Sequence, residues 1–172
     1  MQNRDRAVKR IEHLEELLDI EYEKLQDFER ESALLGPGPE KTALKLRMQR
    51  DTWPTIRKHE TEIAGLLAEV SQSESLPDSE VESIFAEVVN EVSSLQSSRQ
   101  SDWPKEVLDK LDEIQQKLDE PGKAATAKLR ASLPIIPFLM SYNLDLDTES
   151  TLVQTWRKVK GLFRRASPRP PR

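Results

Sequence analysis

Residues 10–70 read RIEHLEELLDIEYEKLQDFERESALLGPGPEKTALKLRMQRDTWPTIRKHETEIAGLLAEV, and the way this stretch breaks in the middle decides the fold. Before the break, Ile11, Leu14, Leu18, Leu25 and Phe28 recur at three- and four-residue steps, which predicts one long helix over residues ~5 to 35 with a coiled-coil-like seam. Glu21 stands where the seam expects an apolar residue, with Tyr22 one place over. GPGPE at 36–40 ends the helix by two mechanisms: glycine permits the chain reversal and proline removes amide donors. After it, Leu44, Met48, Ile56, Ile63, Leu66 and Val70 define a second helix, which Pro54 is expected to kink or divide. Two helices of this length joined by a tight turn form an antiparallel hairpin. Alone, such a hairpin leaves an apolar stripe that further helices or another protein must cover.

Working outward, SQSESLPDSE at 71–80 is a polar linker in which Asp78 or Ser79 is placed to cap the next helix. That helix carries Val81, Ile84, Phe85, Val88, Val92 and Leu95. Pro104 sits at a favourable first-turn position ahead of Val107, Leu108, Leu111, Ile114 and Leu118. DEPG stops this fourth helix, and a short one over residues 123–132 leads to LPIIPFLM at 133–140. There Pro134 and Pro137 interrupt a dense apolar run of Ile135, Ile136, Phe138, Leu139 and Met140. Two readings apply: a buried plug that seats the C-terminal helix, or a patch that a rearrangement exposes to a partner or membrane. The fold class expected is all-α: a long antiparallel hairpin over residues 1–72, a small bundle with a basic amphipathic helix over 73–165, and a disordered basic tail over 166–172.

Composition agrees. Aromatics make up 5% of 172 residues and charged residues 33%, with five glycines, so strands should be scarce. With zero cysteines there is neither a disulfide framework nor a thiolate metal site. The charged start, MQNRDRAVKR, has no apolar core of a secretory signal, and no run of about 20 apolar residues offers a spanning helix, so a cytoplasmic protein is expected, at most peripheral to a membrane. The net charge of −5 is unevenly spread: residues 157–172 hold seven Lys or Arg and no acid, leaving 19 basic against 31 acidic groups elsewhere. An acidic body disfavours nucleic acid as a partner.

Candidates for chemistry are few. His13 and His59 lie in the two hairpin helices, but HETE at 59–62 is followed by Ile63, not the second histidine of a zinc-binding helix. NLDLDTE at 143–149 has the spacing of a calcium loop, yet Thr148 stands where glycine is required and Gln154 where the bidentate glutamate belongs. Asp147 or Thr148 is better read as a helix cap. With no glycine-rich phosphate loop, nucleophile elbow or cysteine nucleophile, no enzyme, cofactor or metal is expected.

Binding features are richer. In TESTLVQTWRKVKGLFRR, residues 148–165, Leu152, Trp156, Val159 and Phe163 share one stripe amid Arg157, Lys158, Lys160, Arg164 and Arg165. Such a helix lies on an anionic membrane surface or packs against protein. The proposed contacts are Ile135, Ile136, Phe138 and Leu139 together with Trp156, Lys158, Lys160, Phe163, Arg164 and Arg165. The 10–70 stretch, with KLRASLPIIPFLMSYNLDLDTESTLVQTWRKVKGLF at 128–163, resembles helical modules of bacterial, often cyanobacterial, conflict-system proteins. Those modules accompany STAND-type NTPases, caspase-like proteases or TIR domains. The resemblance implies a non-enzymatic adaptor that docks by helix packing onto an effector protease or NTPase, or onto itself. The alternative is a peripheral membrane effector.

Overall fold

The computed structural model describes residues 2–142 and 150–167, and among these it is all helical. The N-terminal helix α1 (Gln2–Leu34) is about 50 Å long at 1.5 Å per residue. It turns at residues 35–38 into α2 (Pro39–Arg47), a π-helical turn (Met48–Thr52) and α3 (Trp53–Val70). The bundle helices follow: α4 (Asp78–Ser97), α5 (Lys105–Asp119), α6 (Ala125–Ser132), α7 (Ile135–Ser141) and α8 (Thr151–Ala166).

Pro54 neither sharply divides the return helix nor leaves it regular. A proline has no amide to give and its ring crowds the carbonyl four residues back, at Arg50. The chain relieves this by widening: the Trp53 amide donates to the Met48 carbonyl, five residues back, and the helix resumes. Trp53 is thereby brought into the core, where the seam reading had not placed it.

Ile11, Leu14, Leu18 and Leu25 of α1 are buried against Ile56, Ile63, Leu67 and Val70 of α3. Arg10 of α1 and Glu62 of α3 pair across this seam at 2.7 Å, with the chains antiparallel. Of the expected seam after the π turn, Ile56, Ile63 and Val70 are buried, while Leu66 is only partly buried and its neighbour Leu67 is fully so. One continuous core runs on through Val81, Ile84, Val88 and Val92 of α4, Val107, Leu111, Ile114 and Leu118 of α5, and Leu129 of α6 to α7 and α8. Hairpin and bundle therefore share their interior.

Helix ends differ from expectation in detail. Asp78 is the first residue of α4, with Pro77 as its N-cap and no side-chain cap; Pro104 likewise precedes α5. The expected caps Asp147 and Thr148 lie outside the described residues. The N-cap of α8 is Ser150, whose hydroxyl accepts from the Val153 amide at 3.2 Å. Gly122, at φ +78°, supplies the left-handed residue that reverses the chain after α5. Of the tail, Ala166 is helical and Ser167 is a buried cap, while residues 168–172 are outside the described part.

Candidate interaction surfaces

The sequence singled out two segments as contacts, and the structure puts their apolar side chains indoors. Pro134 is the N-cap of α7 and Pro137 lies in its first turn, so both prolines fall where a missing amide costs no helical bond. Ile135, Ile136, Leu139 and Met140 are buried. Phe138 is half-buried, stacked at 5.0 Å on Tyr142, and the Arg57 guanidinium of α3 lies 4.7 Å over the Tyr142 ring. Arg57 Nε also donates to Ser141 Oγ at 3.0 Å. Helix α7 is thus seated on α3.

Helix α8 behaves the same way. Leu152, Trp156, Val159 and Phe163 are all buried, Trp156 and Phe163 at 0% exposure, together with Val153 and Leu162. Its cations do not stand free in water either. Lys158 pairs with Glu87 of α4 at 2.9 Å and Arg165 with Glu80 at 3.2 Å. Arg164 reaches Glu12 and Glu15 of α1 at 3.4 and 3.7 Å, and Arg157 covers the Tyr22 ring at 5.6 Å. Lys160 meets Glu60 of α3 at 2.9 Å. The basic helix has found its anionic surface within its own chain.

The expectation that Ile135, Ile136, Leu139, Trp156 and Phe163 face a partner is therefore corrected for this conformation. Peeling α8 away would expose six apolar side chains at about 1.5–3 kcal/mol each, on the order of 10 kcal/mol. Headgroup attraction returns about 1 kcal/mol per cation. Where no second apolar surface takes up these side chains, the docked state wins.

At the centre of this contact lies a polar cluster. The Glu60 carboxylate is wholly buried, yet it accepts from Lys160 Nζ at 2.9 Å and from the Tyr22 hydroxyl at 2.8 Å. Burial, then the charge of Glu60 and this hydrogen bond, holds the Tyr22 phenol far above its ordinary range. Glu15, at the rim, has its carboxyl pushed up by burial, against the opposing pull of Arg164 and Lys160. These groups edge an open groove of about 430 Å³ between α1 and α8, lined also by Leu18, Asp19 and Glu23. Each buried charge here is spent on a neighbour, so the cluster fixes how α8 sits. Tyr22 was visible in the sequence only as an irregularity in the seam; Glu60 carried no signal, because a buried carboxylate looks like any other helical glutamate.

Neither histidine takes part: His13 is exposed and His59 is half-buried, and no group of three or more metal-ligating side chains occurs among the described residues. None of the described helices is long and apolar enough to cross a membrane.

The far end of the hairpin is different. From Gln26 to Arg47, Leu44 is the one buried residue. With Arg47 beside Phe28 across the hairpin, Leu44 lies nearer the tip than Leu25, and between those levels Phe28 is half-buried with the Arg47 guanidinium over its ring, at 5.7 Å. The large hydrophobics exposed among the described residues are Ile20 at 53%, Leu34 at 88% and Leu46 at 41%, all in α1 and α2. This arm was missed at the sequence level because its leucines continue the hairpin's composition without continuing its spacing. Comparison of the chain with known protein families, curated proteins and solved structures finds no match.

Proposed function

We propose that this protein is a non-enzymatic interaction module that docks onto another protein through the hairpin arm, residues 20–47. The observation that carries the reading is the location of the large exposed hydrophobics among the described residues: Ile20, Leu34 and Leu46, all on the arm helices. Helix α2 has nine residues and buries one. A helix that short is marginal in water without a packed face, so its apolar side chains gain from a second surface. The bundle, with α8 clamped to it, is then the rigid base on which the arm is displayed. An adaptor role beside an effector protease or NTPase of a bacterial conflict system is the finer reading, supported by the resemblance of residues 10–70 and 128–163.

Site-specific photo-crosslinking in the native host tests this. A photoreactive residue replacing Leu34 should give a discrete protein adduct, and the same residue replacing the exposed Glu82 of α4 should not. Equal yields from both positions, or none from Leu34, would overturn the assignment.

A further inference from the structure

The arm carries a second pattern, in its charges. Along α1 from Asp19 to Leu34 there are six acids (Asp19, Glu21, Glu23, Asp27, Glu29, Glu31) against Lys24 and Arg30. The return helix of the arm, residues 39–50, reverses the sign, with Lys41, Lys45, Arg47 and Arg50 against Glu40. Some of these charges are satisfied inside the chain: Lys24 pairs with Glu21, Arg30 with Asp27, and Arg47 lies on Phe28. Glu23, Glu31, Lys41 and Arg50 are all exposed, and among the described residues none of them makes an ion pair.

We infer that the arm's occupant is the arm of a second copy of this chain, the acidic α1 segment of each lying along the basic α2 segment of the other. The inference rests on the reading of the arm as the docking surface. A two-fold axis running along the arm produces this arrangement, and every contact then occurs twice. With Phe28 and Arg47 as the register of the hairpin, Glu31 comes within a turn of Lys41 of the second copy and Glu23 within a turn of Arg50 of the second copy. Two like arms face to face make a four-helix arrangement, which encloses Phe28 and the tip leucines and gives α2 the second packing surface it lacks. Opposite charge at matched height selects this pairing over one that sets α1 against α1, where acids would oppose acids.

The test uses the purified full-length chain, in sedimentation equilibrium and light scattering at low ionic strength and at about 0.5 M salt. Wild type should dimerise at low salt and weaken as salt rises. Glu23→Lys with Glu31→Lys sets base against base at both matched positions, and Lys41→Glu with Arg50→Glu sets acid against acid there. Each double variant alone should raise the dimer dissociation constant by about tenfold or more. Mixed one to one, they should form a heterodimer, because the matched positions in both helix contacts are again of opposite sign. Unchanged circular dichroism controls for folding, as all four positions are exposed. A wild type that stays monomeric at every concentration overturns the inference, as does a mixture that forms no heterodimer. If the chain is monomeric while Leu34 still crosslinks to a different protein in cells, self-pairing falls and the docking role of the arm stands. If Leu34 crosslinks to nothing, both fall.

Discussion

Helix α8 and the hairpin arm are built from the same ingredients and meet opposite fates. Both are charged helices with a few large apolar residues. In α8 those residues recur so that Leu152, Trp156, Val159 and Phe163 align, and the four acidic residues Glu12, Glu60, Glu80 and Glu87 come from three different helices to meet its cations. In the arm, Ile20, Leu34 and Leu46 follow no common stripe with Leu25 and Leu44, so two helices cannot cover them. Spacing, more than composition, decides whether a segment is absorbed into the fold or left on the surface. A strongly amphipathic basic helix is therefore a poor guide to a binding site when the same chain supplies an acidic body.

The largest effect that would break this contrast is expected in α8. Trp156→Ala removes a side chain with no exposure from the centre of the contact and should destabilise the fold by about 3–5 kcal/mol, read as a shift in the urea midpoint with little change in slope. If stability is unchanged, α8 is not part of the cooperative core.

Next comes Lys160→Met. It leaves the Glu60 carboxylate buried with only the Tyr22 hydroxyl as donor, so a loss of about 3 kcal/mol is expected at neutral pH. Adding Glu60→Met should restore much of it, and a double-mutant cycle with no coupling would show that the pair does not interact.

Leu44→Ala sharpens the contrast from the other side. A cavity of this kind in a shared core costs about 2–5 kcal/mol, but Leu44 is buried only within the arm. Amide exchange should accelerate across residues 28–47 while the global unfolding midpoint moves far less than for Trp156→Ala. Leu34→Glu, at a position 88% exposed, should change stability by no more than about 0.5 kcal/mol and still abolish crosslinking from a photoreactive residue that replaces the exposed Leu46.

The Tyr22 phenol gives a pH signature. Its folded pKa is raised, so its contribution to stability is fully present below the ordinary tyrosine value of about 10 and is lost as pH rises above it. In a difference-absorbance titration, phenolate from Tyr22 should appear only with unfolding. Free ionisation of both tyrosines near pH 10 in the folded chain would contradict the buried cluster.

Much of the fold was legible because helices announce their inner face by period. Ile11, Leu14, Leu18 and Leu25 were read as a seam and are buried; so were Val81, Ile84, Val88 and Val92, and Val107, Leu111, Ile114 and Leu118. The π turn was not legible, since Pro54 marks a defect without saying how the chain resolves it. The candidate site was the least legible part. Periodicity identified the stripe on α8 correctly but carries no information on what covers it, and the acids that recruit α8 are scattered from residue 12 to residue 87. Phe28 shows the converse failure: it has the right spacing for the seam, yet it lies past the last layer of the bundle and remains half-exposed.

Hydrogen exchange of the native full-length chain, read peptide by peptide, tests the central claim most directly. Amides from Leu152 to Phe163 should be protected to the level of global unfolding, and those from Phe28 to Arg47 should exchange far faster in the free monomer and slow on association. Exchange in α8 as fast as in the arm, or an arm as protected as the core in dilute monomer, would contradict the division between a committed helix and a displayed one.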